Sequence, residues 1–118
     1  MTSRVATCTC GSLVARTEGE PLRVSVCHCL DCQRRSGSAF AAQARFPEEN
    51  VRIEGATREY VREGSDGTAT FSFSPNCGVT VFYRRTAEPG RVAIPIGAFA
   101  DPCFPPPAVS GFHQGPHP

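Results

Sequence analysis

The chain has no tryptophan, no lysine and a single methionine. Without lysine there is no ε-amine for Schiff-base chemistry. All twelve basic residues are arginine, and formal net charge is only +1, which leaves no electrostatic case for nucleic acid. No apolar run is long enough to cross a membrane. The opening Met1-Thr2-Ser3-Arg4-Val5-Ala6-Thr7 holds no signal-peptide core, so a cytoplasmic location is expected. There is no Ser/His/Asp arrangement and no phosphate-binding loop. Long helix is also disfavoured, because eleven glycines and eleven prolines in 118 residues put turns throughout.

What the chain does have is cysteine. Six of the seven fall into three clusters: Cys8-Thr9-Cys10-Gly11, Cys27-His28-Cys29-Leu30-Asp31-Cys32, and Ser74-Pro75-Asn76-Cys77-Gly78. In a reducing compartment thiols stay unpaired, and clusters of this kind point to metal rather than disulfides. A domain of this size has a modest core and gains from such a staple.

Short extended segments dominate the rest. Leu22-Arg23-Val24-Ser25-Val26 alternates apolar and polar, as a half-buried strand does. Ser12–Arg16, Val51–Glu54 and Glu59–Arg62 also read as strands. From Ser38 to Phe46 a strand is favoured over a helix, because Phe40, Ala42, Ala44 and Phe46 share one parity. Thr68–Phe73 and Val79–Tyr83 form an expected hairpin around the Cys77 turn. Arg91–Ile94 is a strand that Pro95 places at an edge or a bulge. The expectation is one mainly-β domain over residues 1–101, with little helix, followed by a Pro-rich tail over 102–118 that builds no regular structure and either straps the domain or is partly disordered.

Zinc prefers thiolates in tetrahedral array. Cys8 and Cys10 point to one side of an extended chain and, with Cys77, can share an ion that ties the N-terminal strand to the hairpin. A four-thiolate site calls for cysteine where Ser74 stands. The site is then three-coordinate plus water, completed by Cys103 or a tail histidine, or empty; the sequence leaves these open. Cys27, Cys29 and Cys32 form a second set with no nearby fourth cysteine, as in catalytic zinc sites that keep one position for water or a substrate thiol. The competing reading is a structural site closed by His28, His113 or a remote cysteine. His28 is expected to pack or hydrogen-bond on the side away from Cys27 and Cys29. Arg34 and Arg35 can grip carboxylates bidentately, although solvated charge is the commoner fate of such a pair. Asp31 orients an arginine or caps the turn, and Cys103 reads as an unpaired thiol.

These motifs resemble the glutathione-dependent formaldehyde-activating enzyme family, which also includes centromere protein V. The resemblance rests on Cys8-x-Cys10-Gly11, on Cys27-His28-Cys29-x-x-Cys32-Gln33-Arg34-Arg35-Ser36-Gly37, on Phe73-x-x-x-Cys77-Gly78, and on the late Gly97–Asp101 segment. It implies an Mss4-like "β-tent" of short antiparallel sheets stapled by two zinc ions. One ion would lie at Cys8, Cys10 and Cys77, with Ser74 where the family has cysteine. The other would lie at Cys27, Cys29 and Cys32, the catalytic set, with Arg34 and Arg35 beside the substrate. The family reaction joins glutathione to formaldehyde to give S-hydroxymethylglutathione and is classed as a carbon–sulfur lyase. The family's usual C-terminal segment is replaced here by the Pro-rich tail. The expected function is therefore a zinc-dependent lyase acting on a small thiol of the glutathione type. The alternative is a non-catalytic, zinc-stabilised binding module.

Overall fold

A computed structural model describes residues 2–107 and the backbone of the strand Val109–Ser110; His113 lies outside the described residues. The chain is mainly β. Its elements are β1 (Ser3–Thr7), β2 (Val14–Glu18), β3 (Arg23–Cys27), α1 (Leu30–Ser36), β4 (Ala41–Pro47), β5 (Val51–Glu54), β6 (Arg58–Gly64), β7 (Gly67–Phe73), β8 (Thr80–Arg85), β9 (Arg91–Pro95) and β10 (Val109–Ser110). Two sheets result, one in the order β1-β2-β5 and one in the order β10-β3-β4-β9-β8-β7-β6. All pairings are antiparallel except that of β10 with β3. Among the described residues no helix is long and apolar enough to cross a membrane.

Alternation along the strands of the large sheet decides what each face does. Val24, Ala44, Phe46, Val92 and Ile94 point to one side and join Ala6, Leu13 and Ala15 of the small sheet's segment in the main core. Residues of the other parity point away from that core. The register lines up Arg23, Arg45, Ala93, Tyr83, Phe71 and Tyr60 as one row across β3, β4, β9, β8, β7 and β6. Ser25 pairs with Gln43 in the next row, and Ala69 lies between Arg85 and Arg62 in another. This second face carries arginines, a glutamine and three rings, with alanine as its aliphatic residue, and it builds the site described below.

Three features differ from the sequence expectations. Pro95 does not mark an edge: β9 lies inside the sheet between β4 and β8. The proline is tolerated because it is the last residue of the strand, after which the chain turns into the 3-10 segment Ile96–Phe99. The bulge occurs instead at Ser72/Phe73. The Pro-rich segment is a strap in part, since Phe104 is buried and its ring lies 4.7 Å from that of Phe99. Val109–Ser110 nevertheless forms a short strand against β3. Finally, α1 was not foreseen. Its seven residues follow Cys29, whose Sγ accepts from the Cys32 amide at 3.4 Å as a cap. They end at Gly37, whose φ of 68° closes the turn through a bond to the Gln33 carbonyl.

Candidate metal centres and the adjoining cavity

The first cysteine cluster forms where two loops meet. After β1, Cys8 and Leu13 bond to each other through the main chain (Cys8 N to Leu13 O, 3.1 Å), and Gly11 turns the chain with a φ of 79°. Between β7 and β8 the Ser74 amide bonds to Val79 O at 3.0 Å and the Gly78 amide to Ser74 O at 2.9 Å. The result gathers the sulfurs of Cys8, Cys10 and Cys77 within 4.8 Å of one another. The Cys8–Cys10 pair is 3.6 Å apart. Sulfurs around tetrahedral zinc at about 2.3 Å lie about 3.8 Å from each other, so the set fits such an ion.

Ser74 is fully buried, and its Oγ lies 3.7 Å from Cys10 Sγ. It accepts from the amides of Asn76 (3.1 Å) and Cys77 (3.2 Å), which is where a knuckle cysteine would receive its hydrogen bonds. Ser12, not among the residues expected at this site, also takes part. Its Oγ sits 3.1 Å from Cys10 Sγ and 3.3 Å from Ser74 Oγ. The cluster is rich in donors, and this shows in its acidity. Burial opposes ionisation of Cys8, but the Leu13 amide and the hydroxyls of Ser74 and Ser12 outweigh it and bring the thiol from 9.0 to about 5. Cys77 is lowered as well, first by the Cys10 amide and then by those of Val79 and the Ser74 hydroxyl.

The second cluster spans the end of β3 and the start of α1. Cys27 closes the strand, Cys29 caps the helix and Cys32 lies one turn into it, so their sulfurs also fall within 4.8 Å of one another. Burial, then the neighbouring Cys27 and Cys29, push the Cys32 thiol well above its ordinary value. Three crowded sulfurs cannot all ionise unaided, and a cation among them removes that obstacle. Both triads could hold a metal ion.

The second triad opens on a cavity of about 180 Å³ over the arginine-bearing face of the sheet. Arg45 forms part of its floor. Its Nε bonds both Glu88 oxygens at 2.9 and 3.0 Å, and a terminal nitrogen donates to Ser25 Oγ at 3.0 Å. Burial works against this guanidinium, but Tyr83, in the ionised form it takes only at high pH, and the paired Glu88 carboxylate outweigh it and raise Arg45 above its ordinary value. Burial also raises Tyr83, so its phenol stays neutral despite Arg45 and Arg35. The arginine pair of the sequence divides. Arg35 turns inward over Phe71 and Tyr83, 5.1 and 5.3 Å from the ring centroids, and lines the cavity. Arg34 turns outward, with its side chain 79% exposed and 3.9 Å from Asp31. His28 belongs to neither triad; its ring lies 6.1 Å from Phe40. Cys103 is exposed and joins neither triad.

Residues 3–114 match the family described as glutathione-dependent formaldehyde-activating enzyme. The chain belongs to that family. This glutathione-dependent formaldehyde-activating enzyme family member is also similar in fold to a solved structure of a Rhodobacter sphaeroides protein. That likeness has a TM-score of 0.64 and 23% identity, and covers 80% of this chain and 85% of the other. No curated protein matches the chain. The family match extends beyond Asp101 into the segment that contains Phe104 and β10.

Proposed function

We propose that this protein is a zinc-dependent carbon–sulfur lyase that binds a glutathione-type thiol at Cys27, Cys29 and Cys32 and adds it to an aldehyde such as formaldehyde. The observation that carries this reading is the position of the second triad, whose sulfurs face a cavity with a cationic wall instead of being closed by a fourth ligand from the described residues. Zinc bound there would supply Lewis acidity that lowers the pKa of an incoming thiol. The chain's own residues do the rest. Arg35 offers positive charge at the cavity wall, and the neutral phenol of Tyr83 keeps a proton at the same wall. In the reaction the thiol gives up its proton, a carbon–sulfur bond forms, the carbonyl π pair moves to oxygen, and that oxygen takes up a proton, so none is gained or lost overall. The first triad, with Ser74 and Ser12, ties the β1–β2 loop to the β7–β8 turn and serves stability, with or without a second zinc.

Protein loaded with zinc should accelerate formation of S-hydroxymethylglutathione from glutathione and formaldehyde, followed by proton NMR. Cys27→Ser, Cys29→Ser and Cys32→Ser combined should abolish this and leave the circular dichroism spectrum in place. A rate equal to the uncatalysed one refutes the enzymatic reading. A binding module would instead unfold on chelation and ignore thiols, so cobalt-loaded protein whose charge-transfer bands are unmoved by glutathione favours the module.

A further inference from the structure

Phe71 carries two guanidinium groups at once. Arg35, from α1, and Arg62, from β6, each lie 5.1 Å from its ring centroid. Both line the cavity beside the second triad, and neither forms an ion pair among the described residues. Arg35 Nε is in addition buried without a hydrogen-bond partner. Two like charges on one ring repel, and a structure that holds them there without a carboxylate is prepared for an anion.

The charge balance agrees. Five arginines line this cavity against two carboxylates, and both carboxylates are engaged, Glu88 by Arg45 and Asp66 by Arg85. The residual is three positive charges. Three thiolates and one divalent cation would reduce it by one, leaving two, which a ligand carrying a thiolate and a carboxylate would neutralise. A further acceptor is present. Gln43 is 2% exposed; its Nε2 donates to Ser25 O and Ser25 Oγ, which fixes the amide orientation, and its Oε1 has no partner. Arg35, Arg62 and Phe71 also line a second cavity of about 310 Å³, bounded by Tyr60 and Phe73.

We propose that Arg62 and Arg35, stacked on Phe71, clamp a carboxylate of the incoming thiol while Gln43 Oε1 receives its N–H, so that the site selects acidic, peptide-like thiols over neutral ones. The inference rests on the thiol-binding reading above and makes Arg62, unsuspected from sequence, a specificity-determining residue.

The test is calorimetric titration of the zinc-loaded full chain with glutathione, S-methylglutathione, glutathione diester and 2-mercaptoethanol. S-Methylglutathione keeps both carboxylates and offers no thiolate; the diester does the reverse. In the wild type, glutathione should bind at least about tenfold more tightly than the diester. Arg62→Gln should weaken glutathione and S-methylglutathione by at least about tenfold and leave 2-mercaptoethanol within about twofold. Arg62→Lys should fall between, having charge without the planar fork. Arg52→Gln, on β5, is the control and should change nothing. Equal affinity for glutathione and its diester in the wild type, which needs no variant to fold, overturns the clamp and leaves thiol binding standing. Loss of 2-mercaptoethanol binding in step with glutathione in Arg62→Gln also overturns it. If no thiol binds the wild type, the proposed function falls and the clamp falls with it.

Discussion

Glu88→Gln removes the charge opposite Arg45 while keeping shape. Arg45 is 6% exposed and lies under the cysteine cavity, with Nε shared between the two Glu88 oxygens. Removing one partner of a fully buried pair costs about 3–5 kcal/mol, because the remaining charge is neither solvated nor paired. Two facts reduce this. The Glu88 side chain is 20% exposed, so water reaches that end, and Ser25 Oγ still accepts from Arg45. We therefore expect a loss of about 2–3 kcal/mol. For a chain of this length that corresponds to a fall in Tm of roughly 8–12 °C. Urea unfolding followed by circular dichroism gives the free energy, and an unchanged slope shows that the unfolded state is unaltered. Arg45→Met with Glu88→Leu should recover most of the loss, since neither charge is then buried. A Glu88→Gln variant within about 0.5 kcal/mol of the parent would refute the reasoning, because that is the scatter of ordinary surface substitutions.

Two further perturbations address the first cluster. Ser74→Cys places a fourth sulfur among Cys8, Cys10 and Cys77, and zinc should bind about a hundredfold more tightly, which under saturating metal adds roughly 2.7 kcal/mol and about 10 °C to Tm. Unchanged zinc content and Tm would show that the native cluster already holds the ion as firmly. Gly55→Ala should cost at least about 2 kcal/mol in urea unfolding, because φ is already +105° and a Cβ would stand 2.0 Å from the Ser12 carbonyl oxygen, in the loop that carries this cluster. An unshifted urea midpoint would contradict that close approach.

Local chemistry determined much of this protein before folding is considered. Thiols at spacings of two and three, glycines placed to turn beneath them, and alternating apolar residues are short-range patterns. They were enough to mark both cysteine groups, the mainly-β class and most strand positions. They also marked Ser74 as the odd residue. The tertiary structure decided what depends on pairing between distant segments. The seven-residue helix forms because Cys29 caps it and Gly37 ends it, and its brevity left no periodic signal. Arg34 and Arg35 are equivalent in sequence, yet the rotation of about 100° per helical residue sends one to solvent and the other over Phe71. Arg62, Gln43 and Tyr83 converge on the cavity only because antiparallel register puts residues of one parity from β6, β4 and β8 on the same face, and the turn between β8 and β9 adds Glu88. No short window of the sequence contains that set, since neighbours across the sheet, such as Arg45 and Ala93, can lie far apart along the chain.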